Sequence, residues 1–409
     1  MPPDRNHIPQ GEIVVLIALL LALNALAIDV MLPALDDIAR TFGVAALPGE
    51  GADNRQQLVI YAYIAGFGAP QIVYGPLSDR YGRRPVLLFC LAFYALIGAA
   101  CMFAQTFEGL LAARFLQGVA ASGVRVIAVA IVRDLFAGRG MARIMSLVMT
   151  IFMVVPILAP AFGQLILYVG PWPWTFGLLV VAGIVALLWV WKRLPETLPE
   201  ENRRAHSWPV AFAGYAEVFK NRTACGYLFA SGSVFGALFA FIGASEQIFT
   251  EVFDQEDSFV LWFAGIALVL SAANFLNSRL VERFGMRRLS HLALVGFTLT
   301  AWALVAALAI GGERLIIFFP LFALMFGCFG LIGQNFNAMA MEPLGHVAGT
   351  ASAAYGFATT TLSSLLGFLI GSQYDGTVQP VVIGFAFLGV TSLVIVLITE
   401  RGRLALTSD

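Results

Sequence analysis

GPLSDRYGRRP, residues 75–85, sets one carboxylate, three arginines and a Gly-Pro pair between two oily runs. LVIYAYIAGFGAPQIVY (58–74) leads into it, and PVLLFCLAFYALIGAACMFA (85–104) continues from its last proline. A hydrocarbon core about 30 Å thick takes about 20 apolar residues as a helix, so both runs are long enough to span. The charged stretch then reads as a short turn at a membrane surface. Gly75-Pro76 loosens the end of the first helix, and Gly82 lets the chain reverse. Arg80, Arg83 and Arg84 suit the cytoplasmic side, where cationic residues collect. Asp79 is not explained by that rule.

Outward from this turn the same alternation fills the chain. Hydrophobic residues make up 59% of the 409 and charged residues 12%, about half the share of an ordinary soluble domain. Twelve apolar runs are long enough to span: 12–34, 57–77, 85–104, 108–132, 142–169 and 174–192, then 222–249, 258–280, 289–310, 314–341, 347–372 and 378–399. Runs this long are helical, because lipid offers the backbone no other partner. With the N-terminus inside, nineteen of the twenty-four arginines and lysines fall on the cytoplasmic side. Arg40, Arg55 and Arg314 fall outside, and Arg114 and Arg125 lie within spans. That asymmetry predicts both termini in the cytoplasm. The N-terminus MPPDRNHIPQGE has no cleavable-signal pattern, so the first run is read as a retained span.

The polar stretch LPETLPEENRRAHSWPVAFAGYAEVFKNR (194–222) divides the spans six and six. A weak repeat supports the division. DRYGRR (79–84) and ERFGMR (282–287) each follow the second span of their half, 203 residues apart. The expected fold is an all-α integral membrane protein, with twelve transmembrane helices in two pseudo-symmetric six-helix bundles. Residues 1–11 form a cytoplasmic tail, 12–193 the first bundle, 194–221 a cytoplasmic linker, 222–399 the second bundle and 400–409 a second tail.

Three motifs carry a resemblance to a known family. GPLSDRYGRRP resembles the major facilitator loop signature G-x-L-a-D-r-x-G-r-k. LLAARFLQGVAA (110–121) resembles the family's fourth-helix motif and supplies Arg114, Gln117 and Gly118. VVPILAPAFGQ (154–164) resembles in part the fifth-helix motif of antiporters, G-x-x-x-G-P-x-x-G-G. Pro160 and Gly163 fit, while Ala159 and Gln164 replace glycines. With IDVMLPALDDIA (28–39) and IVRDLFAGRGMARIMSL (131–147), the chain resembles the twelve-span drug/proton antiporter branch, nearest the bicyclomycin and chloramphenicol resistance transporters. The resemblance implies that the loop aspartate, here Asp79, helps hold the two halves together on the cytoplasmic side. It would accept hydrogen bonds from helix N-terminal amides or from a basic residue across the interface. Asp79, Arg80, Gly82, Arg83 and Arg84, with Glu282 and Arg283 of the repeat, are therefore expected gating residues.

An ionised side chain in the bilayer costs about 2.5–3.5 kcal/mol on insertion scales and faces the bundle interior. Asp29, in ALAIDVMLPAL, either takes up and releases a driving proton or caps the helix break before Pro33. Its depth resembles that of Arg114, which permits a pairing and makes the two residues the expected proton-coupling pair. Arg114 otherwise reads as a structural cation bonded to helix carbonyls. Arg125 lies eleven residues further in and either lines the inner cavity or snorkels to the inner surface. Glu246 reads as a solvated helix end.

Transporters of this architecture bind substrate near the midplane between their halves. Candidate substrate-binding residues are Asn24, Tyr61, Tyr63 and Arg125 in the first half, and Phe235, Phe239, Gln334, Asn335 and Asn337 in the second. Tyr61 and Tyr63 are two apart and face opposite ways, so at most one of them is expected to point inward. QNFNAM (334–339) is too polar for lipid, so at least one of its amides is expected in the interior. Pro156 and Pro160 can kink the fifth span, and Ala159, Ala161 and Gly163 allow close packing beside an interface that rocks.

The leading expectation is a proton-coupled antiporter that exports amphipathic small molecules or drugs by alternating access from the bacterial inner membrane. The alternative is an uptake symporter for a sugar, organic acid or other small metabolite. An enzyme is not expected. Cys90, Cys101, Cys225 and Cys328 lie inside apolar runs without metal-ligand spacing, and the four histidines are scattered. The acidic pair Asp36-Asp37 lies on the outer side without partners, and no P-loop points to ATP. No cofactor or metal is expected. The expected partners are a small-molecule substrate, protons and the lipid bilayer, with no nucleic acid, and a monomer is expected.

Overall fold

A computed structural model describes residues 8–44, 54–136, 138–203 and 215–404. Helices fill it. The first half contributes α1 (Gln10–Asp29), α2 (Leu35–Thr41), α3 (Leu58–Gly68), α4 (Gln71–Tyr81), α5 (Arg83–Met102) and α6 (Phe107–Leu135). It continues with α7 (Gly138–Phe152), α8 (Val155–Val169) and α9 (Pro173–Arg193). The second half contributes α10 (Arg222–Gln247), α11 (Phe259–Phe284), α12 (Met286–Gly311), α13 (Leu315–Gly330), α14 (Gly333–Met341), α15 (Ala348–Gly371) and α16 (Gln379–Thr399). Among the described residues, eleven helical stretches are long and apolar enough to cross a membrane, and the bent pair α3–α4, counted as one span, brings them to twelve.

Proline and glycine set the breaks. Pro33 starts a 3-10 turn after α1, and Pro70 stands between α3 and α4, which bend by 45°. Pro156 sits in the first turn of α8, the position that tolerates a missing N–H. Gly330 and Gly333 flank the gap between α13 and α14. Ala159 and Gly163 are buried on α8, whereas Ala161 is exposed. A β-carbon at Gly163 would strike the Val30 carbonyl, so only glycine lets α8 lie against the break after α1.

The repeat is visible in the backbone. Gly82 has φ 95° and ψ 155°, and Gly285 has φ 76° and ψ 155°. Both lie in a region essentially confined to glycine. Each ends one helix and starts the next at the same place in DRYGRR and ERFGMR.

The chain divides into two compact units, Met1–Asp37 with Ala62–Ala211, and Ile38–Tyr61 with Phe212–Asp409. In this division an arm from the first half, Ile38–Tyr61, belongs to the second unit. Polar bonds hold that arm. Asn54 Nδ2 donates to the carbonyls of Ser372 and Tyr374 at 3.2 and 2.7 Å. Gln57 Nε2 donates to Gln247 Oε1 at 2.7 Å, and Tyr61 Oη donates to the Gly367 carbonyl at 2.8 Å.

The core of the second unit is rich in phenylalanine. Phe241 stacks on Phe263 at 5.5 Å and meets the edge of Phe322 at 4.9 Å. In the first unit, glycines bring backbones together. Gly118 of α6 packs where a β-carbon would run into the Tyr63 carbonyl.

Candidate functional site

Inside the first unit, a polar cluster forms where α1 ends. Met31 N bonds to the Ile28 carbonyl and Val30 N to that of Leu26, so the ladder skips Ala27. Arg114, fully buried on α6, supplies the missing donor: its Nη2 lies 2.9 Å from the Ala27 carbonyl. Its Nη1 donates to Gln117 Oε1 at 2.7 Å. The guanidinium lies over the Tyr63 ring, 4.5 Å from its centroid, and the Tyr63 hydroxyl donates to Asn24 Oδ1 at 3.0 Å. Arg114 thus caps a helix C-terminus, an arrangement the dipole favours.

Asp29 is the last residue of α1 and is 5% exposed. Among the described residues, no cation lies within ion-pair distance of it. The Asp29–Arg114 pairing allowed by depth is not formed, because the broken helix offers Arg114 a backbone carbonyl instead. Arg125 lies on the same helix and is exposed, with its guanidinium over Phe67 at 5.5 Å.

The GPLSDRYGRRP turn builds an ionic knot around Arg83, which is 3% exposed. Arg83 Nη1 meets Asp79 at 2.5 Å and Ser78 Oγ at 2.6 Å, and its Nε meets Asp134 at 2.9 Å. The carboxylate that accepts from helix N-terminal amides is Glu196, not Asp79. It takes Arg83 N at 2.9 Å and Arg84 N at 3.3 Å. The physical reason is position: Asp79 stands at the C-terminal end of α4, one i,i+4 step from Arg83, whereas Glu196 returns from the loop after α9 to the start of α5. A β-carbon at Gly82 would strike the Glu196 carboxylate. Arg80 is exposed and leans on Tyr81.

The repeat in the second unit lacks this knot. Met286 replaces Arg83, and Glu282 and Arg283 are exposed, with Arg283 against Phe284. A different network occupies that end. The Tyr227 hydroxyl donates to Glu400 Oε1 at 2.6 Å and faces His291 Nε2 at 3.0 Å. Arg287 stands 3.7 Å from Glu400 and 3.8 Å from Glu342.

Tyr61 and Tyr63 are both buried, at 4% and 0% exposure, with their hydroxyls engaged in different units. The alternation of the two rings is as expected, but neither is left open. Asn335 is buried and donates to Asn277 Oδ1 at 2.8 Å, the interior amide expected of QNFNAM, while Gln334 and Asn337 are exposed. Phe235 meets Phe329 edge-on at 5.0 Å, and Phe239 lends its carbonyl to Tyr61. Both phenylalanines are half-buried, as is Pro156, while Pro160 is buried. Glu246 corrects an expectation. It is 7% exposed rather than solvated, because α10 runs on through a π-helical turn at Ile248–Val252. Thr250 Oγ1 donates to Glu246 Oε1 at 3.3 Å. No group of three or more histidine, cysteine or acidic side chains fit to hold a metal occurs among the described residues.

These features define a polytopic helical membrane protein whose two units share a repeated turn. The chain belongs to the Major Facilitator Superfamily, whose sequence profile its residues 17–368 match. It is 30% identical over 372 residues to the MFS-type transporter YdgK of Bacillus subtilis, covering 89% of this chain and 90% of that one. It is 28% identical over 369 residues to a bicyclomycin resistance protein homolog of Haemophilus influenzae, again covering 89% and 90%. The xylose transporter XylE from E. coli superposes with a TM-score of 0.72 at 12% identity, covering 96% of this chain and 99% of that one, a likeness of fold.

Proposed function

We propose that this protein is a proton-driven exporter of amphipathic small molecules, working by alternating access in a bacterial inner membrane, with both termini in the cytoplasm. Asp29 carries the reading. It is a membrane-embedded acid, almost wholly buried, with no counter-cation at ion-pair distance among the described residues. Leaving such a group ionised costs about 2.5–3.5 kcal/mol on insertion scales, so proton uptake relieves a real penalty. Similarity to a bicyclomycin resistance homolog supports export of antibiotic-like compounds. Arg114 holds the acid's helix end in place, and the Arg83 knot serves as a latch for one of the alternating states.

Asp29→Asn tests the assignment. In an efflux-deficient bacterium the variant is expected to reach the membrane at normal levels yet lose resistance to every compound that the parent exports. Resistance undiminished for all of them would remove Asp29 from the proton role. In proteoliposomes, the direction of substrate-driven proton flux separates export by exchange from uptake by symport.

A further inference from the structure

Arg125 is a second cation inside a membrane-spanning helix, and its surroundings are unlike those of Arg114. It stands eighteen residues after the start of α6 and ten before its end, about 27 and 15 Å from the two termini. An extended arginine side chain does not bridge the shorter of those distances, so the guanidinium stays within the length of the helix. Eleven residues at 100° each return Arg125 to within about 20° of Arg114 on the helix wheel. That face packs into the unit through the Ala27 carbonyl and Tyr63. The exposed apolar side chains Phe115 and Leu116 point elsewhere on the wheel.

Arg125 nevertheless keeps an accessible side chain. Among the described residues, no hydrogen bond or ion pair engages its guanidinium, which lies over the Phe67 ring at 5.5 Å. Phe67 lies in the last turn of α3, just before the bend at Pro70. Of these two arginines, Arg114 spends donors on the protein and Arg125 leaves its own open.

We propose that Arg125 binds the anionic group of the transported compound, and that amphipathic aromatic carboxylates are among its substrates. An accessible guanidinium at this depth calls for an anion, and the fork of N–H donors fits a carboxylate in bidentate fashion. The Phe67 ring offers a flat apolar surface beside that fork, suited to an aromatic body carrying the charge. Proton and substrate then use different groups, Asp29 and Arg125, and the acid answers to cargo through the conformational cycle. This inference rests on the export reading.

Binding separates the two ideas, because it needs no gradient. The probes are nalidixate, its neutral ethyl ester, 8-anilinonaphthalene-1-sulfonate and cholate, titrated against purified full-length protein in detergent. Expected is tighter binding of nalidixate than of its ester by about tenfold or more. Arg125→Gln is expected to abolish that preference while leaving ester affinity within about twofold, and Arg125→Lys to keep part of it. The conservative variant also controls for misfolding. Equal affinity for acid and ester in the parent, an equal loss for both in Arg125→Gln, or no Arg125-dependent binding of any of the three anions would overturn the proposal. Failure of pH-driven transport with intact Arg125-dependent binding would count against export alone.

Discussion

Arg114 Nη2 caps the carbonyl of Ala27 at 2.9 Å, across 87 residues of sequence. The contact joins α6 to the broken end of α1 at the point where Asp29 sits. Truncation would leave a buried carbonyl and Gln117 Oε1 without their donor. Arg114→Ala is expected to cost about 3 kcal/mol, seen as a lower melting temperature of purified protein and a poorer membrane yield. Arg114→Lys keeps the charge but loses the fork, and should fall between the parent and the alanine variant.

The two repeat glycines predict a contrast. Both need a backbone region closed to other residues, so alanine costs about 1–3 kcal/mol at either. At Gly82 the new methyl also meets the Glu196 carboxylate, whereas at Gly285 nothing lies within 4 Å. Gly82→Ala should therefore lower thermal stability more than Gly285→Ala. Equal losses would mean that Glu196 yields without cost.

Arg83 is held by two acids of unequal exposure. The Asp79 side chain is 41% exposed and that of Asp134 is 14% exposed. Asp134→Asn should destabilise the protein more than Asp79→Asn, because water screens the exposed pair. If the knot is a latch, Asp79→Ala should leave substrate affinity within about threefold but slow turnover by about tenfold. A complete loss of binding in detergent would argue against a latch.

Tyr227 gives a test in the second unit. Tyr227→Phe removes the hydroxyl shared by Glu400 and His291 at a cost of about 1–2 kcal/mol. The effect should appear in the melting temperature. Combination with Glu400→Ala should be less than additive, since both remove the same bond.

Much of the architecture was legible because lipid permits few solutions. The apolar runs matched helices to within a few residues, and Gly82 and Gly285 announced the repeated turn. What stayed hidden depends on backbone atoms and distant partners. Pro33 signalled a break after α1, but nothing in the sequence said that Arg114 would take the carbonyl left open there. Glu196 looked like one more acid in a polar linker until the turn at Gly82 brought two helix amides against it. Asp134 was in view inside IVRDLF, yet its contact with Arg83 spans 51 residues. The arm's attachment through Asn54 and Gln57 uses amides with no periodic pattern to reveal them.

That arm has a consequence for how the polypeptide is put together. The first half, once synthesised, still carries residues 38–61, whose hydrogen-bonding mates have not yet been made. A gene cut at the central loop would yield two incomplete products, one with an unsatisfied strap and one with an uncovered seat. Co-expression of the two fragments is expected to give a higher yield of each than expression alone, read as the amount recovered from membranes.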